Sequence, residues 1–411
     1  MILLPHQQEL LTLNPPKHLI AMGTGTGKTI IGISLAEKNC KTCLVVVPKM
    51  LKERWTRDTT ARDNGCKFIV ITKEEFKKQV QKLPIFDGVV VDEAHFFASL
   101  TSKLSKSLYW YFKKHNIQYR WLMTATPYLS SAWNIYTLGR HLGYDWNYMT
   151  WKREFFYEVR MGHRMIAKQK PNIEKRLAEF VQKIGTTMNM EEVIEKAKDT
   201  PNTLNLPESL PTHKFHTIYF ELTEEQKQGI KELDDAEFIS RWTHTHLIEN
   251  GILYSDGYSE EKEFSCKKTE YVINLCKKHD KIILFCRYNG QIEYLKKQLQ
   301  TLNKPIYVIN GQAKDRDQII TDAENAPEAI LLIQSQVSAG YELPSFRTMV
   351  FVSLSFSLVD HEQAIGRNDR INALAPNQYV YLVSQGVDKD VYNCIMDKKD
   401  FSLAIYNGKM S

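Results

Sequence analysis

Short, continuously apolar runs, each followed by a segment with helical spacing, constrain this chain more than any other feature. Leu19-Ile20-Ala21-Met22, Cys43-Leu44-Val45-Val46-Val47, Phe68-Ile69-Val70-Ile71 and Gly88-Val89-Val90-Val91 fall in the first third. Lys281-Ile282-Ile283-Leu284-Phe285-Cys286, Ile306-Tyr307-Val308-Ile309, Ala329-Ile330-Leu331-Leu332-Ile333 and Met349-Val350-Phe351-Val352 fall in the last third. Such runs are shorter than a helix and lack the polar alternation of a strand with one wet face. Helical segments between them, such as Ile30 to Lys38, Lys49 to Arg62, Lys73 to Gln81 and Gln291 to Leu302, complete a β-α rhythm. The rhythm predicts two parallel sheets, each covered on both faces, and chemistry at the carboxyl ends of their strands.

The first run leads into Gly23-Thr24-Gly25-Thr26-Gly27-Lys28-Thr29. Strand, glycine-rich turn, Lys-Thr and helix is the layout of a phosphate-binding loop. Gly25, Thr26 and Gly27 would present backbone N–H groups to phosphate oxygens, helped by the partial positive charge of the helix start. Lys28 would neutralise phosphate, and the Thr29 hydroxyl would hold Mg²⁺. Met22 departs from the strict pattern, which has glycine there; the competing reading is a flexible turn with a chance lysine. The rest of the chain decides between them. After the fourth run comes Asp92-Glu93-Ala94-His95. Asp92 is placed to hold Mg²⁺ and Glu93 to activate water, the second half of an ATP site. His95 either links the nucleotide to other motifs or has a capping or surface role. Gln7, in a short helix opened by Pro5, is a candidate reader of the adenine edge. Thr124 and Thr126 close a fifth strand, where they can hydrogen-bond across a cleft.

Composition narrows the class. The 411 residues allow two or three domains, and 43% hydrophobic content supports full cores. No apolar run reaches the length of a membrane span, and the N-terminus lacks a secretory pattern. Seven scattered cysteines, with one lone C-x-x-C at Cys40 and Cys43, point to free thiols in a reducing cytoplasm and to no zinc site. The net charge of +6 is compatible with nucleic acid without demanding it. Residues 160–183 carry seven Lys and Arg against Glu174 and Glu179. That stretch is either a solvated helix face or a contact for a phosphate backbone. It lies in a region, about 130 to 210, whose spacing predicts helices and whose many aromatics suit a packed core better than base stacking. Prolines at 201, 207 and 211 mark a linker.

The second half carries no phosphate loop. It carries Gln363-Ala364-Ile365-Gly366-Arg367-Asn368-Asp369-Arg370 instead. Arg367 and Arg370, three apart on one helix face, suit a developing charge on a γ-phosphate. A helical salt-bridge pair is the alternative that would hold without the ATP motifs.

The order of these motifs resembles superfamily-two helicases and, within them, the Swi/Snf-like DNA translocases. The narrower likeness rests on Val46-Val47-Pro48-Lys49 through Trp55, on Asp92-Glu93-Ala94-His95 followed by Ser102-Lys103-Leu104-Ser105-Lys106, and on Thr124-Ala125-Thr126-Pro127 with Trp133. Leu206-Pro207 to Gln226 and Asp388 to Lys399 extend it to nearly the whole chain. The resemblance implies two RecA-like, doubly wound parallel-sheet lobes of α/β class with helical insertions between them. It would place lobe one at 1–130, a helical insertion and linker at 131–210, lobe two at 211–385 with a helical insertion at about 223–265, and a C-terminal helix at 386–411. It implies ATP and Mg²⁺ as cofactors and DNA, with RNA as the alternative, as partner. By position it assigns Gln7, Lys28, Thr29, Asp92, Glu93, Arg367 and Arg370 to ATP chemistry. Lys49, Thr72, Arg287, Asn310 and Ser338 fall where the family touches nucleic acid, and His95, Thr124, Thr126 and Gln363 where it couples the two. Ala125 for glycine, a glycine-poor segment around Ser338, and Asn372 after the arginines depart from the pattern.

The expectation is therefore a DNA-stimulated ATPase that moves along nucleic acid, in the cytoplasm (the host's, if the chain is viral), as part of a larger replication, repair or recombination assembly. An RNA helicase and a non-hydrolysing clamp or scaffold are the rivals. The second would be marked by loss of Lys28, Glu93 or Arg370, all of which are present.

Overall fold

The computed structural model describes residues 3–61, 65–125, 131–161, 164–198, 213–233, 238–253, 262–337, 343–366 and 377–397. The chain divides into two units, Met1–Leu210 and Pro211–Ser411.

In the first unit the apolar runs become β1 (Lys17–Met22), β2 (Thr42–Val47), β3 (Lys67–Thr72) and β4 (Gly88–Val91), joined by β5 (Tyr119–Thr124). They pair in parallel in the order β3-β2-β4-β5-β1. Alternate residues serve opposite faces, as strand geometry requires. Leu19, Ala21, Leu44, Val46, Val89 and Val91 pack with Phe76, Phe97 and Phe112 on one side. Ile20, Val45, Val90 and Met123 are buried on the other. Gly32 allows the helix Lys28–Asn39 to lie close on that side: a Cβ there would come within 2.8 Å of Met123 Sδ.

From 131 onward, helices alternate with short strands. Helices Ala132–His141, Tyr148–Phe155, Glu174–Ile184 and Met190–Ala197 are present. So is an antiparallel pair, β6 (Phe156–Met161) with β7 (Arg164–Gln169), which takes up the first half of the basic stretch. A further strand, β8 (Gly185–Met188), pairs in parallel with β1 and becomes the sixth strand of the main sheet. Part of the supposed insertion thus belongs to the first sheet. Gly185 makes the pairing possible, because a Cβ there would sit 2.0 Å from the Leu19 carbonyl oxygen. The aromatics do pack as a core. Trp133 stacks on Tyr148 and Phe156, Trp146 on Trp151, and Phe180 meets the last two edge-on.

In the second unit β9 (Lys214–Phe220) precedes a small antiparallel pair, β10 (Ile252–Leu253) with β11 (Lys262–Glu263). The main sheet adds β12 (Lys281–Cys286), β13 (Ile306–Ile309), β14 (Ala329–Gln334), β15 (Thr348–Phe351) and β16 (Gln378–Ser384). Its order is β13-β14-β12-β15-β16-β9, parallel throughout. Val272, Ile292 and Leu295 cover one face, and Ile320, Val391 and Ile395 the other. The helix Glu224–Lys231 starts with the expected capping box, Thr223 with Gln226.

A charged network lies buried in this unit. Lys268 Nζ donates to Asp388 Oδ2 at 2.6 Å and to Asn250 Oδ1 at 3.0 Å, and His246 Nε2 lies 2.9 Å from Asp388 Oδ1. Burial alone would raise the Asp388 pKa; the Lys268 charge and the His246 hydrogen bond outweigh it and hold the carboxyl at about 2. Glu249 accepts from the backbone N–H groups of Val387 and Asp388, yet burial and the Asp388 charge push it up to about 8. The network ties the helices Phe238–Glu249, Lys267–Lys278 and Val387–Met396 together.

All seven cysteines are free thiols. Among the described residues there is no cluster of metal-ligand side chains of the His/Cys/Asp/Glu kind, and no helix is long and apolar enough to cross a membrane.

Candidate nucleotide-binding site

β1 ends at Met22, and the chain turns through Gly23–Gly27 into the helix Lys28–Asn39. Gly25 and Gly27 have φ of +78° and +80°, a left-handed backbone that side chains resist. Gly27 also faces the Gln7 amide so closely that a Cβ would lie 2.3 Å from Nε2. Gly23 is different: a Cβ there would meet nothing nearer than 3.7 Å, so only two of the three glycines are sterically required. The Thr26 hydroxyl donates to the Gly23 carbonyl at 2.8 Å and closes the turn. Gly23 N donates to the Met188 carbonyl of β8 at 2.9 Å, which anchors the start of the loop. Alternating left-handed residues before a helix N-terminus turn N–H groups toward one point, the geometry that receives phosphate.

Lys28 Nζ donates to the carbonyls of Met22 and Gly23, both at 2.8 Å. Its ammonium is thus held over the loop by weak, neutral acceptors that an anion would outcompete. Thr29, half-buried, is the second residue of the helix. The helix Pro5–Leu13 braces the loop from outside. His6 Nε2 lies 2.9 Å from the Thr26 carbonyl oxygen, and burial lowers the His6 pKa, which keeps the ring neutral. Gln7 is buried; its Oε1 accepts from Leu4 N at 2.9 Å and its Nε2 points to the Thr26 carbonyl at 3.4 Å. The amide read as an adenine reader therefore also caps its own helix and steadies the loop.

Asp92 and Glu93 follow β4. Asp92 is buried, and Trp55 Nε1 donates to its Oδ2 at 2.8 Å while Glu93 N donates to its Oδ1 at 2.9 Å. Burial, then the neighbouring Glu93 charge, raises its pKa to about 6; the Trp55 hydrogen bond and the Lys28 charge pull the other way. Lys28 and Asp92, far apart in sequence, thus feel each other's charge at the carboxyl ends of β1 and β4. Glu93 sits in the left-handed region at φ +50°, a conformation that costs a non-glycine residue about 1 kcal/mol or more. The turn brings its Oε2 to 3.2 Å from His95 Nδ1. His95 accordingly faces the acidic turn. Thr124, at the end of β5, is buried beside β1, in register with Ala21.

The remaining sequence candidates scatter. Lys49 is exposed just after β2. Thr72 caps the helix Lys73–Gln79, its hydroxyl accepting from Glu75 N at 3.1 Å, so a structural task already occupies it. In the second unit Arg287 follows β12; its guanidinium lies 3.6 Å from the Phe356 ring centroid and 3.5 Å from the Ser355 hydroxyl. Asn310 follows β13 and its Oδ1 accepts from Gln312 N and Ala313 N, both at 3.0 Å. Both therefore stand at strand carboxyl ends of that sheet. Gln363 is buried in the helix Leu358–Ile365. Thr126, Ser338, Arg367 and Arg370 lie outside the described residues. Sequence reasoning missed His6 and the contact of Trp55 with Asp92. The only signal for the first was adjacency to Gln7; for the second there was none short of the fold.

A family model described as "SNF2-related domain" matches residues 64–271. The chain belongs to the SNF2-related family. A second model, "Helicase conserved C-terminal domain", matches residues 267–372. This SNF2-related chain is accordingly a Swi/Snf-like member of superfamily two and an enzyme of the ATP-hydrolysing helicase and translocase class. A sequence search of the curated proteins finds no match. Among solved structures, a Sulfolobus solfataricus SWI2/SNF2 ATPase core in complex with double-stranded DNA is 16% identical, covering 97% of this chain and 91% of its own, with a TM-score of 0.40. S. cerevisiae Dbp5 bound to RNA and ADP BeF3 is 11% identical, covering 96% and 87%, with a TM-score of 0.54. The likeness to Dbp5 is one of fold: each unit here is a RecA-like lobe, a parallel sheet with flanking helices.

Proposed function

We propose that this protein is an ATP-dependent DNA translocase whose nucleotide site is the loop Gly23–Thr29 with Asp92 and Glu93. The observation that carries the reading is the meeting of three features at the carboxyl ends of β1 and β4. These are the left-handed Gly25–Gly27 turn, the Lys28 ammonium above it, and a buried Asp92 that Lys28 influences electrostatically. Backbone N–H groups of the turn bind the phosphates, and Lys28 leaves the Met22 and Gly23 carbonyls to neutralise them. A buried carboxylate and a helix-opening threonine hydroxyl are hard oxygen donors, so Asp92 and Thr29 would hold Mg²⁺. That ion, when bound, supplies charge neutralisation on the phosphates. Glu93 orients the attacking water and takes its proton, steadied by His95. Arg367 and Arg370 are assigned the stabilisation of charge on the transferred phosphoryl group.

Lys49, Thr72, Arg287, Asn310 and Ser338 are proposed to meet the nucleic-acid backbone, with His95, Thr124, Thr126 and Gln363 coupling that contact to the nucleotide. Backbone contacts make binding salt-sensitive and largely independent of sequence. The test is phosphate release by the purified protein with duplex DNA, single-stranded DNA, RNA or no nucleic acid. Stimulation greatest with duplex DNA supports the reading. Stimulation by RNA alone makes the protein an RNA helicase, and no hydrolysis under any condition makes it a clamp.

A further inference from the structure

A groove lies in the first unit, away from the phosphate loop. The helix Lys103–His115 and the turn Val80–Lys82 enclose an open groove of about 610 Å³. That volume is in the range of pockets that take a ligand of nucleotide size. Lys103, Lys106, Lys114 and His115 line it, together with Trp110 and Tyr111, and no carboxylate does. The three lysines are exposed, and among the described residues none has a carboxylate partner. Trp110 is 59% exposed, whereas Tyr111 and Phe112 of the same helix are buried and Tyr109 is half-buried. Tyr111 is fixed in place by donating its hydroxyl to the Pro84 carbonyl at 2.7 Å.

The spacing of these groups follows the helix. Lys103, Lys106, Trp110 and Lys114 recur every three or four residues and so share one face. At 1.5 Å per residue they form a stripe about 16 Å long. A planar indole set between ammonium groups matches a chain that alternates planar bases with phosphates. An acidic peptide would use the lysines and leave the indole without a counterpart. From this geometry we infer that the groove binds a single-stranded nucleic-acid segment, with a base stacked on Trp110 and backbone phosphates at Lys103, Lys106 and Lys114. This contact is separate from those proposed at the strand carboxyl ends and rests on the proposed function only for the class of partner.

The test uses the full chain. A short oligothymidine carrying 5-iododeoxyuridine is bound, irradiated and its adducts mapped; in parallel, anisotropy of a fluorescein-labelled oligomer gives affinity. The expected results are an adduct at Trp110, a loss of roughly 5- to 100-fold in affinity for Trp110→Ala, and a log-affinity against log-salt slope smaller by about 2 in Lys103→Gln/Lys106→Gln/Lys114→Gln. Basal ATP hydrolysis by both variants stays at the wild-type level. Adducts only elsewhere, or unchanged affinity in Trp110→Ala, overturn the inference. Displacement of the oligomer by a polyglutamate peptide from wild type and from Trp110→Ala alike also overturns it, in favour of an acidic peptide. Hydrolysis stimulated by duplex DNA without a Trp110 adduct defeats this inference alone. A Trp110 adduct without any stimulated hydrolysis defeats the proposed function alone.

Discussion

Trp55→Phe removes one donor from the acidic turn while keeping an aromatic side chain in a fully buried place. The indole Nε1 donates to Asp92 Oδ2 at 2.8 Å, and both residues are buried. A hydrogen bond to a charged group contributes about 1.5–3 kcal/mol. It favours the carboxylate over the acid, so its loss raises the Asp92 pKa above the present value of about 6. At 1.36 kcal/mol per pH unit, the rise is about one to two pH units. The proposed chemistry needs the carboxylate, so the acid limb of kcat/KM against pH moves up by that amount, since this ratio reports the free enzyme. Stability carries the same sign. The folded pKa lies above the ordinary 3.8, so the stability given by the extra proton is fully present below about 3.8 and is lost as pH rises through about 6. The melting temperature of the variant therefore falls further below wild type at about pH 8 than at about pH 5. Acid limbs that coincide in the two proteins refute the reasoning.

Other expectations are narrower. Gly185→Ala pushes a Cβ to 2.0 Å from the Leu19 carbonyl oxygen. It should cost about 1–3 kcal/mol or more in thermal stability. Because Met188 holds Gly23 N, the same variant should weaken binding of a fluorescent ATP analogue. Lys268→Met leaves Asp388 buried without its ammonium and should cost about 3–5 kcal/mol by denaturant titration, part of it recovered by adding Asp388→Asn. Glu249, pushed up to about 8 by burial, gives stability that is present below its ordinary 4.5 and lost as pH rises through about 8. Glu249→Gln should flatten that decline in a series of melts against pH.

The sheets were legible because burial on both faces leaves little choice of residue. Val45, Val90, Leu284 and Leu331 have no exposed surface, and nothing polar fits there. The phosphate loop and the Asp92-Glu93 turn were legible because each needs fixed residue types in a fixed local order. β8 was not. Gly185-Thr186-Thr187-Met188 sits at a sheet edge, where Thr186 hydrogen-bonds His18 at 2.8 Å, so polarity is no bar to being a strand. β16 was passed over too, although Tyr379 to Val383 is buried. The pair β6-β7 overlaps a basic stretch whose charge drew the reading toward a helix face. Contacts between residues distant in sequence, such as Trp55 with Asp92 or Lys268 with Asp388, are set by the tertiary fold. Periodicity carries no trace of them.

The central claim is that Glu93 activates water at a site built by the Gly23–Thr29 loop. Its most direct test is ATP turnover by Glu93→Gln with saturating duplex DNA, alongside binding of ATP to the same protein. The predicted result is retained ATP binding with phosphate release reduced at least about a hundredfold, the scale of a lost general base. Turnover at the wild-type rate would contradict the account.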